Sequence, residues 1–238
     1  MRDGSVGSGG LRVLVLVGVG GHGDPWHALE ATGARAADAL RAAGAEVEVL
    51  RTDQADALPD ALSGADVLVV NVSGDPALPP PDSAAIVDAI LAHAARGGGV
   101  LALHSSTLAF AGDPRWSALI GGRWVPGVSG HPPIGEALVR TAARASVEPE
   151  LELPADFVLH DERYSDLEVA EGVTALAFHK EGEAEHPLVW VTEATDARAG
   201  RVAYDALGHG VESYDSAERR ALLVALAGWV APAASTTA

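Results

Sequence analysis

Imidazole, carboxylate and hydroxyl side chains collect in this chain directly after runs of apolar residues, where a buried strand would give way to a loop. Behind Leu11–Val17 comes Gly18-Val19-Gly20-Gly21-His22-Gly23-Asp24-Pro25, followed by Trp26 and His27. Behind Val100–Leu103 come His104, Ser105, Ser106 and Thr107, and behind Phe157–His160 come Asp161, Glu162, Arg163 and Tyr164. His209 stands between Gly208 and Gly210 after Arg201–Leu207. A histidine titrates near neutral pH and can give or take a proton. Adjacent carboxylates either ligate a hard metal or divide acid and base roles, because like charges push their pKa values apart. Taken singly, each group also has a plain structural use: an imidazole can bond nearby backbone, an Asp-Glu-Arg run can be a solvated loop, and glycines can form a simple turn. In an open parallel sheet, however, ligands bind beyond the carboxyl ends of the strands, and that shared position favours a site.

Other chemistries fail on spacing or composition. The glycine-rich loop after Val17 lacks the G-x-G-x-x-G spacing and no Gly-Lys-Ser/Thr follows, so it is a tight turn that lets His27 approach a ligand and not a phosphate cradle. Ser105 and Ser106 sit where an elbow nucleophile would lie, but their flanks are Leu-His-Ser-Ser-Thr and not Gly-x-Ser-x-Gly, and serine also caps helices. The chain has no cysteine, which removes disulfides, thiolate zinc sites and thiol nucleophiles. A formal net charge of −17 with only 16 Lys and Arg, and no basic patch, argues against nucleic acid and anionic membranes as partners. No apolar run approaches the roughly 20 residues of a membrane-spanning helix, and the expected location is cytoplasmic.

The elements that must position these groups follow from periodicity. Leu11–Val17, Val67–Val72 and Val100–Leu103 are uninterrupted apolar runs, which predicts three adjacent central strands buried on both faces. Helices are predicted over Trp26–Ala43, ending at Gly44, over Ser83–Ala95, capped by Asp82 or Ser83, and over Ser216–Val230. Glu46–Leu50, Glu136–Val147, Phe157–His160, Thr174–His179, Leu188–Thr192 and Arg201–Leu207 read as further strands. Strand and helix alternate through the first hundred residues, so the fold class is α/β, a flavodoxin-like and mostly parallel sheet flanked by helices. Residues 1–10, rich in Gly and Ser, read as a flexible leader, 11–231 as a single domain, and 232–238 as a frayed tail.

With these residues in view, the sequence resembles the ThuA-like (trehalose-utilisation) family, which shares the class I glutamine-amidotransferase fold. The resemblance runs in order through Gly97-Gly98-Gly99-Val100-Leu101-Ala102-Leu103-His104, Phe110, Gly121-Gly122, His131-Pro132, Asp161-Glu162-Arg163-Tyr164, Pro187-Leu188-Val189-Trp190 and Gly200-Arg201-Val202 through Leu207-Gly208-His209. His104 stands at about the place of the amidotransferase cysteine, so thiol-based glutamine hydrolysis is excluded. Where the family often has a histidine-proline pair, this chain has Glu148-Pro149.

The resemblance implies a role in carbohydrate metabolism, with a sugar or keto-sugar as the small-molecule partner, and a lyase, isomerase or hydrolase as the reaction class. His104, Glu162, Asp161 and His209 are the candidate catalytic residues, with His104 and Glu162 as acid and base. His27, His131, Tyr164, Ser105 and Trp26 are candidates for substrate binding. His27, His104 and His209 are candidate ligands for a divalent metal such as zinc, manganese or iron, which would polarise a keto-sugar carbonyl. The alternative is a non-catalytic carbohydrate-binding or regulatory domain with walls from Trp26, Trp116, Trp124 and Tyr164. A homo-oligomer is compatible with either.

Overall fold

The computed structural model describes residues 10–142 and 147–233. Most of the expected leader, the end of the expected tail, and residues 143–146 of the expected strand Glu136–Val147 lie outside the described residues.

Five strands form the parallel part of the sheet: β1 (Arg12–Val17), β2 (Glu46–Arg51), β3 (Val67–Asn71), β4 (Gly99–Leu103) and β11 (Val202–Asp205), in the order β2-β1-β3-β4-β11. That is the flavodoxin-like order. The three apolar runs are indeed neighbours, and β1, β3 and β4 are buried almost throughout. Helices therefore cover both faces. The helix α1 (Leu29–Ala42) packs beside α5 (Ala217–Val230), while α2 (Leu58–Gly64) packs on α3 (Ser83–Ala95) and α3 on α4 (Pro114–Ile120). β2 is the edge, and its burial pattern is correspondingly mixed.

Beyond β11 the sheet continues with antiparallel β10 (Ala184–Thr192), β9 (Thr174–Glu181), β6 (Gly135–Thr141) and β7 (Phe157–Asp161). Two-residue strands β5 (Gly122–Arg123) and β8 (Glu168–Val169) pair separately. Trp190 of β10 fixes this extension, donating its indole N–H to the Ile120 carbonyl (2.7 Å) and packing on Tyr204 of β11.

Two local expectations are corrected. Helix α1 begins at Leu29 and not at Trp26, because the Asp24 carboxylate accepts the backbone N–H of Trp26 (2.8 Å) and of His27 (2.9 Å), holding both in a turn. Asp82 does not cap α3; its carboxylate lies 2.9 Å from His22 Nε2.

Candidate functional site

The carboxyl ends of β1, β4, β7 and β11 each deliver one group to a single point. After β4 the chain turns sharply at His104, whose φ of +40° lies in the region non-glycine residues seldom enter. β11 and the residue after it hold that conformation: Tyr204 donates its hydroxyl to the His104 carbonyl (2.8 Å), and the ring Nδ1 lies 2.6 Å from the Ala206 carbonyl. A carbonyl only accepts, so Nδ1 carries the hydrogen, and in the neutral ring Nε2 presents a lone pair. After β1, the turn at Asp24 does the same for His27. Its Nδ1 is 2.7 Å from Asp24 Oδ2, which also accepts the Ser73 hydroxyl from the end of β3.

Asp161, at the end of β7, is buried and ties that strand to the loop after β11. Its carboxylate accepts the backbone N–H of Glu162 (2.9 Å), Gly208 (2.8 Å) and His209 (3.1 Å), and the Ser213 hydroxyl (2.7 Å). Gly208 has a φ of +109°, and a Cβ there would meet the Tyr214 hydroxyl at 2.9 Å. Backbone freedom at Gly208 and the Asp161 clamp together aim Glu162 and His209 inward. Beneath the loop, the fully buried pair Arg219–Asp205 (2.8 Å) and an Arg219 bond to the Leu207 carbonyl (3.2 Å) support it.

The result is a cluster of His27, His104, Glu162 and His209, whose ligating atoms all lie within 4.8 Å of one another. His27 Nε2 and His104 Nε2 are 3.1 Å apart. Glu162 Oε2 lies 3.3 Å from His104 Nε2, 3.3 Å from His209 Nδ1 and 4.0 Å from His27 Nε2. The other oxygen, Oε1, lies 3.1 Å from His131 Nδ1, and that imidazole is 42% exposed. His209 Nδ1 is buried and makes no aligned hydrogen bond. Such a set can move protons or hold a cation.

Electrostatics follow from this packing. Burial pushes the Glu162 carboxyl up, but His104 and His209 outweigh it and hold the group well below the usual carboxylate range. Burial likewise opposes ionisation of Asp24, yet its bonds from His27 and Ser73 bring it down to about 2. Contact with Glu162 raises His209. Burial lowers His27 in spite of Asp24. Tyr164, fully enclosed, is pushed well above its ordinary value and stays a neutral phenol. It stacks on the His104 ring (4.4 Å between centroids) and meets Trp124 edge to face (4.9 Å).

A cavity of about 980 Å³ opens over the cluster, lined by His27, Glu162 and His209 on its floor and by Trp26, Trp124 and Tyr164 on its walls. Its size suits a small organic ligand. His131 lines it too, and Trp26, 74% exposed, stands at its rim.

Not every expected site residue reaches this cavity. The Ser105 hydroxyl is buried without a partner and does not line the cavity, while Ser106 donates to the Val70 carbonyl (2.8 Å). Both Asp161 oxygens are engaged by backbone N–H groups and Ser213, and the residue does not line the cavity. Glu148 lies at the amino-terminal end of the parallel strands, in a groove with Gly97, Glu193 and Arg201, so it does not stand in for a histidine at the cluster. Trp116 is enclosed, with its indole N–H bonded to the Ser106 carbonyl (2.7 Å). Sequence reading missed the roles of Asp24 and Ser73. An aspartate three residues before a histidine in a Pro-containing turn was the available signal for the first, and nothing local marked the second.

The comparisons with known proteins agree with this architecture. A ThuA-like protein from Parabacteroides merdae ATCC 43184 has a similar structure, with a TM-score of 0.72 at 18% identity over 93% of this chain and 90% of that one. A ThuA-like protein from Bacteroides uniformis ATCC 8492 has a TM-score of 0.68 at 18% identity, covering 97% of this chain and 95% of that one. A glutamine amidotransferase from Methylobacillus flagellatus shares the fold at a TM-score of 0.52 and 14% identity, over 84% of this chain and 70% of that one. No curated protein matches the sequence. Among the described residues no helix is long and apolar enough to cross a membrane. The profile of the ThuA family, described as trehalose utilisation, matches residues 12–230, and the chain belongs to that family.

Proposed function

We infer that the chain is an enzyme that acts on a sugar derivative, and that its chemistry is proton transfer at a carbon next to the carbonyl of a keto-sugar. One observation carries this reading: two imidazoles and a carboxylate on the floor of a cavity with aromatic walls, backed by the enclosed imidazole of His104, are delivered to one point by four strand ends. The family's description, trehalose utilisation, supports a sugar as the ligand, and aromatic faces beside polar groups suit a polyhydroxylated ring. Glu162 and His131 form the proton-transfer pair. Glu162 lies on the cavity floor with Oε1 3.1 Å from His131 Nδ1, and His131, half exposed at the cavity wall, exchanges the proton with solvent. An isomerase and a lyase share the first step, in which the C–H bond gives its proton to the base and its electrons form an enolate; in an isomerase a proton then returns to the neighbouring carbon or oxygen, and in a lyase the enolate electrons expel the β-oxygen substituent, which takes up a proton.

Burying an ionised carboxylate among three histidines is costly without a use, and proton transfer at the cavity floor supplies one. The reading is tested by incubating the chain with a panel of keto-hexosides in deuterium oxide and following carbon-bound deuterium by NMR. Exchange is expected, with a loss of about 100-fold or more in Glu162→Gln. A folded chain that binds the sugars yet exchanges no proton with any of them would leave only the binding role.

A further inference from the structure

We propose that His27 Nε2, His104 Nε2, His209 Nδ1 and Glu162 Oε2 hold a divalent transition metal ion, of the zinc or iron kind and not magnesium or calcium. The first support is the direction of the lone pairs. Each of His27 and His104 commits its Nδ1 hydrogen to an acceptor, Asp24 or the Ala206 carbonyl, so two bare nitrogens face each other at 3.1 Å beside a carboxylate oxygen. In the neutral rings these electron-rich atoms repel at that spacing, and a proton or a metal cation between them removes the repulsion.

The second support is His209 Nδ1, which is buried and points at the same place without an aligned partner. The third is scale. Metal–nitrogen bonds of about 2.0–2.1 Å place the donors of a tetrahedral shell roughly 3.3–3.4 Å apart; three contacts of 3.1, 3.3 and 3.3 Å are near that value, a fourth is 4.0 Å, and all separations lie within 4.8 Å. The acceptors behind His27 and His104 are the outer partners that metal-bound imidazoles require. A donor set of three imidazoles and one carboxylate selects zinc or iron over the oxygen-seeking ions.

His27, Glu162 and His209 also line the cavity, whereas His104 is enclosed behind them. Four protein donors fill a tetrahedral shell, so an oxygen donor such as a carbonyl or hydroxyl entering from the cavity would be a fifth ligand. Glu162 divides its two oxygens, Oε2 to the ion and Oε1 to His131.

The test uses the full chain without any sugar, so its outcome is independent of the proton-transfer reading. Metal content is measured on the purified protein, and the chelator-treated protein is titrated with zinc chloride and with magnesium chloride by calorimetry, alongside circular dichroism. One zinc per chain is expected, with no magnesium binding at the same concentrations. Asp24→Asn, which touches no ion but sets the His27 tautomer, should weaken zinc roughly 10–100-fold, and Glu162→Gln should weaken it at least as much. A folded wild-type chain that takes up no zinc would overturn the proposal, as would zinc binding of unchanged affinity in both variants.

Discussion

His27 and His104, 77 residues apart, meet Nε2 to Nε2 at 3.1 Å because each is anchored through its other ring nitrogen. The Asp24 anchor is the more easily altered of the two. Asp24 Oδ1 already receives two backbone N–H groups, so an asparagine there keeps its oxygen on them and turns its NH₂ towards His27. In Asp24→Asn the His27 hydrogen should therefore move from Nδ1 to Nε2. Nitrogen-15 NMR of the imidazoles reads the tautomer directly, and an unchanged Nδ1–H in the variant would refute the anchoring role.

Asp161 satisfies three backbone donors and one hydroxyl in a buried position. Asp161→Ala leaves those donors without acceptors and should cost about 3 kcal/mol, on the order of one to three unmade buried bonds. Denaturant unfolding gives the number. Loss of the His209 position should accompany it, visible as a lowered His209 titration midpoint once Glu162 no longer faces that ring.

Gly208→Ala tests the same loop through the backbone. The φ of +109° and the 2.9 Å approach to the Tyr214 hydroxyl leave no room for a methyl group, so the variant should lose stability although it adds only one carbon. A variant as stable as the wild type would mean the loop has a second arrangement, and His209 would not be fixed by it.

The pH dependence of stability has a defined sign at His93, which lies away from the cluster. Burial pushes this imidazole below its ordinary value, with the Gly99 carbonyl opposing. Between its folded value and the unfolded value of about 6.5 the unfolded chain holds the extra proton, so stability is full above that window and falls as pH falls through it. His209 has the opposite sign, since its folded value is raised: its contribution is present below about 6.5 and is lost as pH rises through the folded value. Burial lowers His27 and His179 as it lowers His93, so three imidazoles oppose one, and unfolding of the chelator-treated protein at pH 5.5 and 7.5 should show lower stability at the acid end. The difference should narrow in His93→Gln.

No ammonia should be released from glutamine, despite the fold shared with a glutamine amidotransferase. The chain contains no thiol, and the Ser105 hydroxyl at the elbow is fully buried and faces no cavity. Release that disappears in Ser105→Ala would show that the serine has access the present structure denies it.

The sequence by itself determined the parallel half of the sheet and the places where chemistry could be. Val13–Val17, Val67–Val70 and Val100–Leu103 must be apolar at every position because helices cover both faces, and such runs need no knowledge of partners to be recognised. It also placed His27, His104, Glu162 and His209 at strand ends, since the polar residues begin where those runs stop. The short helix α4 was legible as well, with Asp113-Pro114 at its start and Gly121, at φ +75°, at its end, but it was not read. The start of α1 was misread because a side chain, Asp24, competes with helical hydrogen bonds, which periodicity does not register. Only the tertiary structure decided the rest. The pairing of β11 with antiparallel β10 and β9, the clamp from Asp161 to residues 208–213, and the turning of Glu162 inward while Ser105 is packed away all depend on contacts between distant segments. Spacing along the chain carries no information about which strand ends become neighbours, and it is that adjacency, fixed by strand order and by two ring nitrogens held from behind, that makes four scattered residues one site.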